Sequence, residues 1–148
     1  MSCSPEESES PEISSIDIVI NESPWTFDHA ESQLVLNSDY EFTDSEREEI
    51  INKINRDHDI AYEGSLIFFN KDGTGIYDSP GYCQECDFDW KLIDNETFRW
   101  AVRASFNYCT LKSSGIEPEL IWEWTTGSTY NRNGEIIEYS YNLNLVFR

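Results

Sequence analysis

Successive residues of a β-strand point to opposite faces, so apolar side chains recurring at every second position commit a segment to a half-buried strand. Most of this chain is written that way. From Phe98 to Tyr108 one face carries Phe98, Trp100, Val102, Ala104, Phe106 and Tyr108, and the other carries Arg99, Ala101, Arg103, Ser105 and Asn107. From Ile137 to Phe147 the set Ile137, Tyr139, Tyr141, Leu143, Leu145 and Phe147 opposes Glu138, Ser140, Asn142, Asn144 and Val146. Phe88, Trp90 and Leu92 alternate with Asp87, Asp89 and Lys91, and Leu120, Trp122 and Trp124 with Glu119, Ile121 and Glu123. Shorter candidates run over Pro24 to Asp28, Gln33 to Asn37, Ser65 to Asn70 and Thr74 to Asp78, making eight strands, with Ile16 to Ile20 as an optional ninth.

The links between these strands are short. Asn70-Lys71-Asp72-Gly73 and Asp94-Asn95-Glu96 read as hairpin turns in which Gly73 or Asn95 can take a positive φ, and Asn131-Arg132-Asn133-Gly134 reads as a longer loop before the last strand. Short links imply antiparallel neighbours. Eight strands in a meander favour an up-and-down barrel, which removes exposed sheet edges by closing on itself; a two-sheet sandwich is the alternative. The fold class expected is therefore mainly β, with one short α-helix from about Asp44 to Asp57. That helix has Thr43 and Glu46 as a capping box, a narrow apolar stripe of Ile50, Ile51 and Ile54, and acidic residues in its first half. A stripe so thin suits a helix lying on a sheet or closing a barrel mouth.

The chain has 148 residues, enough for one domain with a real core, and 29 acidic against 10 basic side chains give it a net charge of −19. A surface this negative repels nucleic-acid phosphates and anionic lipid headgroups. Residues 1–15 hold six Ser, four Glu and two Pro and read as a disordered leader, with 16–148 as the barrel domain. No apolar run is long enough to span a membrane. Met1-Ser2-Cys3-Ser4 has the form of a trimmed bacterial lipoprotein start with Cys3 as the lipidation candidate, followed by the acidic run Glu6, Glu7 and Glu9. The alternative is a cytoplasmic protein with an incidental Cys3.

The stretch Ser-Leu-Ile-Phe-Phe-Asn-Lys-Asp-Gly-Thr-Gly from Ser65, then Asp87-Phe88-Asp89-Trp90-Lys91-Leu92-Ile93-Asp94 and Phe98-Arg99-Trp100, resembles the bacterial lipocalin-like domains. Trp25 fits their early Trp strand, Phe69 to Thr74 their Asp-Gly-Thr turn, and Trp90 the Trp-centred strand that follows. The Gly usual ahead of the early Trp is replaced by Ser23-Pro24. This resemblance implies a small envelope barrel, lipid-anchored or secreted, that holds an apolar ligand without catalysis. On the residues alone, the expected inner faces present Phe88, Trp90, Trp100, Phe106, Trp122, Trp124, Tyr139, Tyr141 and Phe147. Rings of that size either fill an eight-stranded barrel or line a cavity in it.

Cys83-Gln84-Glu85-Cys86 admits a redox pair, half a zinc site completed by Cys109 and a His, or a structural disulfide. The disulfide suits an exported protein, either Cys83 with Cys86 or one of them with Cys109, whose strand phase places it on the outside. Asp57, Asp59 and Glu63 near His58, and the outward Asp87 and Asp89, lack a calcium-loop spacing and read as a solvated face; His58 reads as a surface residue. No catalytic site, metal or cofactor is expected. Two functions follow: a non-catalytic envelope barrel binding a small apolar ligand or serving as an interaction module, or an acidic immunity- or inhibitor-type module engaging a basic protein. The second is motivated by nine acids against three bases between Asp39 and Glu63.

Overall fold

In the computed structural model, which describes residues 14–35, 41–102, 105–113 and 117–148, every strand pairs antiparallel with its chain neighbours and the last returns to the first. The order is α1 (Ser15–Asn21), β1 (Trp25–Leu34), α2 (Asp44–Tyr62), β2 (Leu66–Phe69), β3 (Thr74–Ser79), β4 (Cys83–Leu92), β5 (Thr97–Val102), β6 (Ser105–Lys112), β7 (Glu119–Arg132) and β8 (Glu135–Phe147). The result is a closed, up-and-down, eight-stranded barrel, a topology consistent in general with the calycin and lipocalin fold.

The strand number agrees with the sequence reading, but two of its boundaries differ in opposite senses. Pro24 to Asp28 and the start of the expected strand Gln33 to Asn37, whose residues 36 and 37 lie outside the described residues, belong to one strand, Trp25–Leu34, broken in phase by a bulge between Phe27 and His29. Before the bulge Trp25 and Phe27 face inward, and after it Ala30, Ser32 and Leu34 do, because one extra residue transfers the inner face to the other parity. Conversely, Phe98 to Tyr108 is two strands. Val102 pairs with Ser105, so the chain reverses across two residues, 103–104, which lie outside the described residues. Cross-strand partners share a face, and a pair separated by an odd number of positions exchanges parity. Phe98 inward therefore puts its partner Cys109 inward, while Phe106 and Tyr108 turn outward.

The loop expected before the last strand is instead a two-residue hairpin turn. Asn133 (φ 51°) and Gly134 (φ 94°) lie between the paired residues Arg132 and Glu135, both in the left-handed region that Asn-Gly favours. With so tight a reversal β7 runs eight residues past Trp124, and β7 and β8 project as a ribbon beyond the strands beside them.

Among the described residues there are two helices where one was expected. Ile16 to Ile20, the optional ninth strand, forms α1, started by Ser14, whose Oγ accepts from the Asp17 N–H. Ser14 and Ser15, the last two residues of the expected leader, cap and begin this helix; residues 1–13, with Cys3, lie outside the described residues. Trp25 Nε1 donates to the Val19 carbonyl (3.0 Å) and the Phe69 N–H donates to Ser23 Oγ (3.0 Å), so α1 is pinned across the barrel end where β1 begins and β2 finishes. α2 sits at the other end. Its capping box is made as expected, but it continues five residues past Asp57, to Tyr62. Ile50 and Ile54 are its buried residues.

Candidate functional site

Between the two helices the barrel axis is occupied by a run of aromatic rings. At the α1 end Phe69 meets Trp90 and Phe88 (both 5.4 Å between centroids) and Trp90 meets Phe98 (5.7 Å). Phe88 continues to Trp100 (5.1 Å), Trp100 to Trp122 (4.7 Å) and Trp122 to Trp124 (5.0 Å), with Tyr77 set edge-on against both Trp100 and Trp122. Tyr62, on the last turn of α2, closes the run against Trp122 (6.1 Å) and Trp124 (6.5 Å). Trp100 has no exposed surface, and Phe88, Trp90 and Tyr141 are buried, while Trp122, Trp124 and Tyr139 are half-buried towards the α2 end. Of the expected interior residues, only Phe106 is misplaced. It is 63 % exposed on the outer face, where the Arg99 guanidinium lies 4.7 Å from its ring centre. Phe98, which the alternation sets on the face of Trp100, also belongs to the stack, as do Phe69, Tyr77 and Tyr62, which are absent from the expected inner faces. Phe69 and Tyr77 sat in expected strands whose alternation already placed them, whereas Tyr62 lies beyond the expected end of its helix.

Several polar groups sit at the α2 end of this stack. Ser65 and Ser79 are buried and hydrogen-bond each other (2.8 Å). Burial pushes the Tyr77 phenol up, opposed by Ser79 and Ser65. Burial likewise pushes Tyr62 up. α2 also seals a seam. β1 pairs with β2 only at Trp25↔Ile67 and Thr26↔Leu66, and beyond that its edge meets the helix: the Ala30 N–H donates to Asp59 Oδ1 (2.7 Å), and Ser32 Oγ donates to Asn55 Oδ1 (2.7 Å). At its start α2 holds the tip of the β7–β8 ribbon. Arg132 donates to both carboxylate oxygens of Glu46 (2.8 and 2.9 Å) and to the Glu41 carbonyl, and Phe42 packs edge-on against Tyr130 and Tyr139. Arg132 and the Thr43 backbone pull the Glu46 carboxyl down to about 2.

Cys83 and Cys86 form a disulfide at the start of β4, spanning a bulge in which Glu85 has a positive φ (47°). Both thiols of the Cys-x-x-Cys are thereby consumed, leaving no dithiolate for zinc. Cys109 is free and has no exposed surface, because its pairing with Phe98 turns it inward, so the bridge expected to fasten a loop to the barrel's outside is not made. Burial pushes its thiol up, partly offset by Trp100. His58 is half-buried on α2. Its Nδ1 donates to the Ile54 carbonyl (2.7 Å) and its ring stacks on Tyr62, which ties it to the helix. Asp87 and Asp89 are exposed on β4, and Asp57 pairs with Lys53 one helical turn away.

The outer face carries a groove of about 880 Å³ that the sequence reading did not anticipate. It is lined by Glu31, Ser32 and Gln33 of β1, Asn142 and Asn144 of β8, Glu123, Trp124 and Thr125 of β7, and Thr97 of β5 and Tyr108 of β6. Register aligns Glu31–Asn144–Glu123 and Gln33–Asn142–Thr125 in two rows. His29 bonds Glu31 (2.7 Å) and Asp28 (2.6 Å); partial burial opposes its protonation, but the two carboxylates outweigh it and raise its pKa. The outward phases of β1, β7 and β8 were legible, but not that three strands would align them.

Comparison with known proteins finds no family model, no curated protein and no solved structure that matches this chain.

Proposed function

We propose that this protein is a non-catalytic interaction module that engages a basic protein partner through its acidic exterior, with the barrel serving as a rigid support. A closed barrel is compatible in general with either a ligand-binding or an interaction role. The observation that carries the choice is the unbroken ring contact from Phe69 to Tyr62, which leaves the axis occupied by side chains. Meanwhile the charge is outside: Asp44, Glu48, Glu49 and Asp57 are exposed on α2, and Glu31 and Glu123 line the groove. Such a field speeds encounter with a cationic partner and is screened by salt. The Cys83–Cys86 disulfide supports placement in the cell envelope or outside the cell, with Cys3 as the anchor.

Zero-length cross-linking of the protein in an envelope extract tests the reading. The expected product joins a basic protein to α2 or groove carboxylates at low salt and is lost at high salt. Products confined to acidic or neutral proteins, or insensitive to salt, contradict it. A second reading, an apolar ligand at the α2 end, is favoured by the half-buried state of Trp124 and Tyr139. Saturable quenching of tryptophan emission by a lipid or aromatic metabolite supports that alternative.

A further inference from the structure

Among the described residues several β-ladders stop short of the ends of their strands, and two of these seams are treated differently. At the first, α2 lies along the free edge of β1, where Asp59 accepts from the Ala30 N–H. At the second, β6 and β7 pair only from Lys112↔Glu119 to Cys109↔Trp122. From Glu123 to Arg132 β7 remains paired to β8, but among the described residues no ladder partner lies on its other side. In an extended strand alternate residues direct both N–H and C=O to one edge, so this stretch offers a row of backbone donors and acceptors. Natural edges are usually blunted by Lys, Pro, bulges or a covering element. Thr125-Thr126-Gly127-Ser128-Thr129-Tyr130-Asn131 contains no Lys, no Pro and no charge, and it pairs with β8 without a register shift. The outer groove opens on this edge, with Glu123 and Thr125 on one bank and Tyr108 and Thr97 on the other.

We propose that the β7 edge binds an extended, lysine- or arginine-bearing segment of a partner protein by strand addition, in the gap between β6 and β7. The inference rests on the interaction-module reading above and adds its mode. Beyond the fork at Trp122, the seven residues from Thr125 to Asn131 give room for about three pairs of backbone hydrogen bonds. Charge selects the occupant. The groove's lining holds two carboxylates, Glu31 and Glu123, and no Lys or Arg, so cationic side chains on the outward phase of an added strand meet complementary charge. A second copy carries the same net charge of −19, and the chain's own first fifteen residues contribute four glutamates and no base, so both are repelled where a basic segment is attracted.

The test is amide NMR of the whole protein titrated with a peptide of about ten alternating lysines and valines, and with the same peptide carrying N-methyl groups on its central amides. N-methylation keeps charge and side chains but removes the hydrogen-bond donors. The expected result is low-salt binding with shifts confined to Thr125–Asn131 and the groove, and affinity reduced at least about tenfold by N-methylation, as several backbone hydrogen bonds are lost. Equal binding of both peptides, with shifts on α2, overturns strand addition and leaves the acidic-module reading standing. Binding of neither peptide at low salt overturns both. Concentration-dependent shifts of β7 without peptide assign the edge to self-pairing and overturn the partner proposed.

Discussion

Replacing Trp100 by Ala tests whether the rings fill the barrel or line a space in it. Trp100 has no exposed surface and touches Trp122 (4.7 Å), Phe88 (5.1 Å) and Tyr77 (5.6 Å) on different sides. A fully buried indole removes roughly 200 Å² from water, which at about 25 cal/mol per Å² is about 5 kcal/mol. The methyl that remains and partial collapse of its neighbours bring the expected loss to about 3–5 kcal/mol. Against the roughly 5–15 kcal/mol of an ordinary domain, that is a large fraction. Urea unfolding followed by far-ultraviolet circular dichroism measures it, since the substitution alters the fluorescence reporter itself. Added indole should raise the unfolding midpoint of Trp100→Ala by occupying the vacated site and leave the parent protein unchanged. A ring beside a void has already lost partner atoms on one side, so a loss below about 1 kcal/mol refutes the filled interior.

Other outcomes follow from single contacts. Glu46 titrates at about 2 beside Arg132 instead of at 4.5, so its contribution is complete above 4.5 and is lost as pH falls towards 2; Glu46→Gln removes that part of the acid transition in pH-dependent thermal melts. Cys109 should resist alkylation until the barrel unfolds, so mass-detected labelling across a urea series must follow the unfolding curve; native-state labelling contradicts its burial. A Cβ at Gly75 would collide with the Phe88 ring and the Phe68 carbonyl, so Gly75→Ala should cost about 1–3 kcal/mol in chemical denaturation, and a neutral result refutes the close approach of β3 to the stack.

Period-two patterning carried the architecture because each barrel strand has one wet face, and the capping box of α2 was legible because Thr43 and Glu46 interact locally. Errors arose where parity changed without a turn residue to mark it. The segment Ala101-Val102-Arg103-Ala104-Ser105 contains no Gly, Pro or Asn, yet a reversal there placed Phe106 outside and Cys109 inside. The bulge after Phe27 split β1 in the reading for the same reason. Asn133-Gly134 did mark its turn, but the polar run ahead of it hid β7's extension. Thr125 to Asn131 lacks the apolar alternation of a core strand, because that ribbon extends past the neighbouring strand β6. The outer groove and the bare edge depend on where ladders stop, which is set by pairing partners distant in sequence.

The central claim, that the axis is occupied and recognition is external, is tested most directly by a crystal structure of the parent protein under xenon pressure. Xenon enters empty apolar cavities. The account predicts no xenon among Phe88, Trp100, Trp122 and Tyr77. An ordered xenon atom between those rings contradicts it and returns the barrel interior to the position of ligand site.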